Sequence, residues 1–259
     1  MLEITPLPAF EDNYIWLLAD STSNVYVAVD PGDETPVLSW LQQRGGTLAG
    51  ILITHHHYDH IGGVPELLGA FPGVPVFGPA NNRIRGVDHW VREGESLGVS
   101  GLDAQFKVME LPGHTAGHVA YLTEMALFCG DTLFAGGCGR VFDGTFQQLS
   151  ASLRRIAVLP PNTLIYCAHE YTLANLGFAA WVEPDNEALR RRTQEEQAKR
   201  DRGEPTVPSS LALELATNPF LRTGVPGVIQ AAERYAGRTL TDHAAVFTAL
   251  RTWKDREYD

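Results

Sequence analysis

The chain has 259 residues, of which 44% are hydrophobic and 20% charged, so it can form one large globular domain or two smaller ones. Its 31 acidic and 20 basic residues give a net charge of −11, which disfavours nucleic acid or an anionic membrane as a partner. No apolar run approaches the roughly 20 residues that span a bilayer, and the N-terminus has no signal-peptide core. We therefore expect a cytoplasmic protein, and a monomer by default.

The three cysteines, Cys129, Cys138 and Cys167, form no C-x-x-C motif and are odd in number. This pattern disfavours a disulfide framework and a cysteine-rich zinc site. We expect small thiols that are buried or close to a functional site.

Strand-like and helix-like segments alternate in the first half of the chain, and further such segments follow up to residue 167, which predicts an α/β domain. Strands are predicted at 14–18, 25–29, 48–53, 74–77, 106–109, 119–123, 126–129 and 163–167. Helices are predicted at 35–44, from 64 onward, and at 149–159.

The character of the sequence changes after Glu170, where helical periodicity continues without a convincing strand. We expect an α/β domain over residues 1–172 and a helical domain over residues 173–259. The charged run at 189–196 is typical of a solvated helix face.

Four histidines and an aspartate lie in the segment 55–60, directly after the predicted strand at 48–53. Alternate residues of an extended segment point the same way, so His55 and His57 can converge on one point. Beyond a bend, Asp59 and His60 can converge on a second point. Imidazole and carboxylate groups together suit zinc, iron or manganese.

Three further candidate ligands lie where a strand-like run meets a loop: His114, Asp131 and His169. Each of them alone would be more typical of a turn, a cap or a hydrogen-bonded core residue. Together with the loop cluster they complete a set for two ions. The set is His55, His57 and His114 for one ion, Asp59, His60 and His169 for the other, and Asp131 as a bridge.

This order of ligands, His-x-His-x-Asp-His followed by a distant His, Asp and His, resembles the metallo-β-lactamase superfamily. Longer segments look like the glyoxalase II (hydroxyacylglutathione hydrolase) family within it. These segments are THHHYDHIGG at 54–63, PGHTAGH at 112–118, GDTLFAGGCGR at 130–140 and AHEYT at 168–172. The tail is similar to the same family at GEPTVPSS (203–210), NPFLR (218–222) and RTWK (251–254).

The resemblance implies a metallo-β-lactamase-like αββα sandwich with a C-terminal helical domain. It implies a binuclear site, most often zinc, with iron or manganese as alternatives, and all seven ligand positions match. The implied reaction hydrolyses S-(R)-lactoylglutathione and related 2-hydroxyacyl glutathione thioesters to glutathione and D-lactate, the second step of methylglyoxal detoxification. A hydroxide bridging the metals would attack the thioester carbonyl, with Asp59 and Asp131 as catalytic residues. His118 and Asp30 are candidates for orienting the ligands, or for polar packing at strand ends.

The resemblance also implies basic and polar contacts for the glutathione moiety. By position these are Arg140, Tyr171, Asn175, Arg251 and Lys254. Without the resemblance, the pair Arg251 and Lys254 would be an ordinary solvated basic pair.

Two positions differ from some family members. Those members have lysine at the position of Arg140 and tyrosine at the position of Phe142. Arginine keeps the positive charge. Phe142 cannot donate a hydroxyl hydrogen bond, so we expect weaker substrate binding without loss of catalysis.

Three other functions remain open from the sequence. A lactonase or β-lactamase of the superfamily would have no use for the basic C-terminal pair. An iron persulfide dioxygenase would use one ion, whereas two sets of ligands are intact. A metal-stapled binding protein would be expected to have a closed, cysteine-rich zinc site, unlike the His and Asp ligands found here.

Overall fold

The computed structural model describes residues 1–80 and 83–258. In chain order its strands are β1 Leu2–Ala9, β2 Asn13–Asp20, β3 Val25–Val29, β4 Thr47–Leu52, β5 Val76–Pro79, β6 His89–Val91, β7 Ser96–Gly98, β8 Gln105–Glu110, β9 Val119–Leu122, β10 Ala126–Gly130, β11 Leu133–Phe134, β12 Gly137–Cys138, β13 Leu164–Cys167 and β14 Ser209–Ser210. Its helices are α1 Glu34–Arg44, α2 Tyr58–Ile61, α3 Val64–Ala70, α4 Phe146–Ile156, α5 Thr172–Val182, α6 Glu187–Asp201, α7 Leu211–Thr217, α8 Pro226–Ala236 and α9 His243–Glu257.

The chain divides into two compact units. Unit 1 contains residues 1–110 and 117–130, and unit 2 contains residues 111–116 and those from 131 onward. The boundary expected after residue 172 follows a different criterion, the change from α/β to helical sequence, and stays a prediction. The last residue of the predicted helical domain, Asp259, lies outside the described residues.

Unit 1 contains a six-stranded sheet in the order β1-β2-β3-β4-β5-β6. The first three strands pair antiparallel, and β3 to β6 run parallel. Helices α1 and α3 pack on this sheet through Val37, Leu41, Val64 and Leu67, which share one hydrophobic cluster with residues of β1 to β5. The loop after β4 therefore leaves from the carboxyl end of parallel strands, where α/β proteins usually place functional residues.

Strand β1 was not predicted, although it pairs with β2 along eight residues. Its sequence contains Pro6 and Pro8, which lack the backbone N–H group and interrupt a strand pattern. Proline is tolerated in a strand at the edge of a sheet, and β1 is such a strand.

Unit 1 also contains the antiparallel strands β7, β8, β9 and β10, each hydrogen-bonded to the next. Tyr121 of β9 connects them to the first sheet: its buried hydroxyl donates to Ile53 O at 2.8 Å and lies 3.2 Å from Phe77 O. Burial, and then the negative charge of Asp30, raise the pKa of Tyr121 well above its usual value, so the hydroxyl remains a proton donor.

Unit 2 contains the hairpin β11–β12, the antiparallel pair β13–β14 and the helices from α4 onward. The helix predicted at 149–159 begins earlier, because the Thr145 hydroxyl caps it by accepting from Gln148 N at 3.1 Å. The expectation of no strand after residue 172 is wrong for β14, whose two residues are too few for a periodic signal.

The charged run at 189–196 is not a fully solvated face, contrary to the prediction. Arg192 and Glu196 are buried in α6. Periodicity missed this because Arg192, which pairs with the buried Glu214 at 2.5 Å, is of a residue type that is common on surfaces.

Among the helices of residues 1–80 and 83–258, none combines the length and the apolar character needed to cross a bilayer.

We predict that Tyr121→Phe lowers the free energy of unfolding by about 1–2 kcal/mol, because buried carbonyl groups lose their hydroxyl donor. Urea unfolding followed by circular dichroism measures this change. Tyr26→Phe is the matched control, since Tyr26 packs on the same sheet and the described residues show no hydrogen bond from its hydroxyl. Equal stability of the two variants would contradict the role of the Tyr121 hydroxyl.

Candidate metal centre

In unit 1, the loop after β4 brings two histidine rings together. His55 Nε2 lies 3.0 Å from His57 Nδ1, with ring centroids 4.7 Å apart. Two nitrogens that bind one zinc ion at about 2.0–2.1 Å in tetrahedral geometry are about 3.3 Å apart. The separation of the two nitrogens therefore fits two ligands of one ion.

Asp59 and His60 form a second donor pair in the same loop, in the short helix α2. His60 Nε2 lies 3.5 Å from Asp59 Oδ2. His60 is buried and Asp59 is partly exposed, which suits an ion that remains accessible to substrate. The His60 ring also packs against His55, with ring centroids 4.1 Å apart, so the division of the four residues between two ions stays a prediction.

Asp30 orients the His60 ring through its Nδ1 atom. Its carboxylate accepts from Thr54 N at 2.7 Å and from the Thr54 hydroxyl at 2.6 Å, and it lies 3.0 Å from His60 Nδ1. A carboxylate partner on Nδ1 places the proton there and directs the Nε2 lone pair towards the Asp59 side. Asp30 has φ 52°, a left-handed conformation that aspartate and asparagine tolerate better than most residues.

His118 lies behind His55. Its ring stacks on His55 at 4.7 Å with an angle of 18° between the planes. Gly130 has φ 47°, and a Cβ there would come within 2.3 Å of Thr54 Oγ1 and 2.9 Å of His118 Nε2. The packing around His118 therefore requires glycine at position 130.

In unit 2, one carboxylate faces two histidines with different oxygens. Asp131 Oδ2 lies 3.4 Å from His114 Nε2, and Asp131 Oδ1 lies 3.4 Å from His169 Nε2. All three side chains are buried. Both separations match the roughly 3.3 Å expected for two ligands of one ion, so the geometry of Asp131 suits a bridge between two ions.

The ring of His114 is held by the backbone of the loop that follows Asp131. His114 Nδ1 donates to Arg140 O at 2.7 Å, which directs the Nε2 lone pair to the Asp131 side. A Cβ at Gly139 would come within 2.0 Å of Asp131 O and 2.9 Å of His114 Nδ1. Glycine at 139 thus allows the close approach of this loop.

Two of the expected substrate contacts, Tyr171 and Arg140, are accessible in unit 2, and so is Phe142. Tyr171 stacks on His169 with ring centroids 4.7 Å apart and 6° between the planes. The Arg140 side chain is half exposed, and its Nε lies 3.8 Å from Asp255 Oδ1. Phe142 is 65% exposed and packs edge-on against His114 at 5.2 Å. These side chains can meet a substrate without rearrangement of the core.

The other three expected contacts are buried. Arg251 is 1% exposed, donates to Cys138 O at 3.0 Å and pairs with Asp255 at 2.9 Å. Lys254 is 5% exposed, with Nζ 5.7 Å from the centre of the Tyr258 ring. Neither is an ordinary solvated basic residue. The buried Asn175 donates to Ala135 O at 3.2 Å.

Sequence reasoning missed Asn13 and Asp255. The Asn13 side chain is buried and donates to Asp59 Oδ2 at 3.0 Å, so it orients a candidate metal ligand. Asp255 pairs with Arg251 four residues earlier in α9, and this spacing was the one available signal. Asn13 lies 46 residues from its partner, and no local pattern marks such a contact.

All three cysteines are buried, as expected. Burial raises the pKa of the Cys138 thiol to about 11 although Arg251 and Lys254 oppose the shift, and it raises that of Cys167 to about 12. Both thiols stay protonated near neutral pH and are poor metal ligands or nucleophiles there.

The family comparisons agree with this fold and these clusters. The family described as "Metallo-beta-lactamase superfamily" matches residues 12–169, and "Hydroxyacylglutathione hydrolase C-terminus" matches residues 170–257. The superfamily fold and the His/Asp clusters indicate a binuclear metal site.

Curated relatives identify one family within this superfamily. The hydroxyacylglutathione hydrolase of Alkalilimnicola ehrlichii is 56% identical over 256 residues, which cover 99% of this chain and 100% of that protein. That of Ectopseudomonas mendocina is 54% identical over 259 residues, with 99% and 100% covered. The chain therefore belongs to the hydroxyacylglutathione hydrolase family. The predicted family and its hydrolase class are confirmed.

Solved structures confirm the predicted fold class. ETHE1 from Myxococcus xanthus has a TM-score of 0.68 at 24% identity, with 99% of this chain and 93% of that chain covered, which shows the fold alone. TTHA1623 in a di-iron-bound form has a TM-score of 0.60 at 26% identity, with 84% and 99% covered.

We predict that Asp30→Asn weakens metal binding by about 10- to 100-fold, because His60 loses the carboxylate that sets its tautomer. Asparagine tolerates the left-handed backbone at position 30, so the substitution changes mainly the charge. Competition with a chelator, followed by metal analysis, measures the loss. Asp20→Asn, which changes a carboxylate that accepts from Asp103 N, should retain metal like the parent. Parental affinity in Asp30→Asn would contradict the orienting role.

Proposed function

We propose that this chain hydrolyses S-(R)-lactoylglutathione and related 2-hydroxyacyl glutathione thioesters to glutathione and a hydroxy acid, the second step of methylglyoxal detoxification. The observation that carries the reaction type is Asp131, which presents one oxygen to His114 and the other to His169. Likeness to hydroxyacylglutathione hydrolases over nearly the whole chain supports the substrate class.

For the metal ions we propose the seven ligands of the family pattern. His55, His57 and His114 would hold one ion, Asp59, His60 and His169 the other, and Asp131 both. The donor separations within each unit and the ligand chemistry support zinc, with iron or manganese as alternatives. When bound, the ions supply a hydroxide nucleophile at neutral pH and stabilise negative charge on the thioester oxygen.

The side chains of the protein orient the reaction. The Asn13 amide fixes Asp59 by bonding Oδ2, so that this carboxylate can direct the nucleophile towards the acyl carbon. A carbon–oxygen bond forms at the acyl carbon, the carbon–sulfur bond then breaks, and glutathione leaves as a thiolate while the hydroxy acid gives up its proton to solvent. Because a thiolate is already a fairly good leaving group, no strong general acid is required.

Recognition of glutathione needs positive charge for its carboxylates. Arg140 and Lys254 are the proposed charged contacts, with Tyr171 as a polar contact. Arg251 and Asn175 stay proposed members of this subsite, although their observed hydrogen bonds go to the backbone of unit 2. The positive charge is local, which matters because the net charge of the chain is −11.

We also propose a cytoplasmic monomer without nucleic-acid or membrane partners. The proposal rests on the acidic composition, the odd number of cysteines without a C-x-x-C motif, and the use of glutathione as a carrier. Light scattering of the purified protein tests the monomer.

The proposed function predicts that the metal-loaded protein hydrolyses S-(R)-lactoylglutathione and that Lys254→Ala mainly loses affinity. We expect a KM about tenfold higher and a kcat within about threefold of the parent, because the lysine binds the part of the substrate that does not react. Thioester absorbance measures the rate.

Lys107→Ala removes an exposed lysine from unit 1 and should behave like the parent. No turnover by a fully metal-loaded parent would refute the substrate assignment, and persulfide and lactone substrates would be tested next. An unchanged KM in Lys254→Ala would remove that residue from the subsite.

We further predict that Phe142→Tyr lowers the KM for lactoylglutathione about fivefold, which corresponds to one added hydrogen bond of about 1 kcal/mol. The side chain is exposed enough for a hydroxyl to reach substrate without crowding the core. Steady-state kinetics of the two proteins, loaded with the same metal, measure the change. Equal KM values would show that the missing hydroxyl has no effect here.

A further inference from the structure

The hairpin β11–β12 lies between two proposed functional residues of unit 2. Asp131 lies two positions before it and Arg140 two positions after it. Each strand has two residues, and such a short isolated hairpin is not stable by its own strand pairing. Contacts from other elements must therefore hold its backbone.

Asn218, the C-cap residue of α7, binds the hairpin at two carbonyls. Its Nδ2 lies 2.9 Å from Gly137 O and 3.2 Å from Phe134 O. Its Oδ1 accepts from Phe220 N at 3.1 Å, which fixes the side-chain amide. The side chain is fully buried, so water does not compete for these hydrogen bonds.

Glu214 of α7 binds the turn of the same hairpin. Its Oε2 accepts from Gly136 N at 2.8 Å and from Asn218 Nδ2 at 3.0 Å. Its Oε1 accepts from Arg192 Nη2 and from the Ser209 hydroxyl, both at 2.5 Å. Glu214 and Arg192 are both buried, and removal of either would leave an uncompensated charge.

Two side chains from other helices complete the anchoring. Asn175 of α5 donates to Ala135 O, and Arg251 of α9 donates to Cys138 O. Residues of three helices and one helix cap thus bind the backbone from Phe134 to Cys138. Every one of these contacts lies within unit 2.

We propose that Asn218 and Glu214 are positioning residues, which hold the hairpin so that Asp131 presents its two oxygens to His114 and His169. Metal affinity and turnover then depend on side chains that touch neither metal nor substrate. This inference rests on the proposed function, because it assigns these residues to the metal site of that reaction.

The test compares Asn218→Ala with Asn186→Ala. Asn186 also donates its amide to a backbone carbonyl of unit 2, Ala216 O at 3.0 Å, and caps α6, but it has no hydrogen bond to the hairpin among the described residues. Both variants lose one asparagine of unit 2, so they separate general destabilisation from an effect on the hairpin. Thermal unfolding shows how much stability each has lost.

Three readouts are taken on the metal-loaded proteins well below their unfolding temperatures. We expect Asn218→Ala to retain metal against a chelator about 10- to 100-fold less well than the parent, and kcat to fall more than KM rises. Peptides covering 131–140 should exchange their amide hydrogens faster. Asn186→Ala should match the parent in all three.

If Asn218→Ala does not fold, Asn218→Ser takes its place, because a serine oxygen can still accept from Phe220 N while the amide donor is lost. Metal retention and exchange equal to those of Asn186→Ala would overturn the inference. These two readouts need no substrate. A parent that binds metal through an Asn218-dependent hairpin but does not hydrolyse lactoylglutathione would therefore refute the proposed function alone.

Discussion

The burial of carboxylates is the constraint on which the rest of this structure depends. An ionised carboxylate is stable in a protein interior only if donors or cations compensate it. Asp30 is compensated by the Thr54 backbone, the Thr54 hydroxyl and His60, and Glu214 by Arg192 and three neutral donors. Asp131 faces two imidazole nitrogens whose lone pairs also favour a cation. The need to compensate a buried carboxylate is thus met by protein donors at Asp30 and Glu214, whereas the surroundings of Asp131 fit metal ions.

The candidate metal ligands could be predicted from the sequence because their signals are local. His55 and His57 alternate along an extended loop, and each distant ligand follows a strand-like run. The end of a core strand is a position that hydrophobic patterning locates well. The resemblance then assigned roles to these residues, which patterning alone could not do.

The supporting residues could not be predicted in the same way. Asn13 contacts Asp59 across 46 positions, and Glu214 contacts Gly136 across 78 positions. Arg192 stands in a run of charges whose composition suggests exposure, and only the three-dimensional fold shows its buried partner. Strand β1 was hidden by prolines that an edge position tolerates. In each case the deciding contact is distant in the sequence and involves residue types that are common on surfaces.

Arg251 shows why membership in a family does not by itself define what a residue does. Its guanidinium is directed at Cys138 O and Asp255, so its positive charge acts on the hairpin as well as on any anionic ligand near Arg140. Asn218 binds the same hairpin at Phe134 O and at Gly137 O, next to Cys138. Because Asp131 and Arg140 flank this hairpin, the helices proposed to bind substrate also contact the element next to a proposed metal ligand. Under the proposed function, a substitution in α9 changes both the affinity for substrate and the geometry of the metal site. A separate measurement of metal retention is needed to distinguish these two effects.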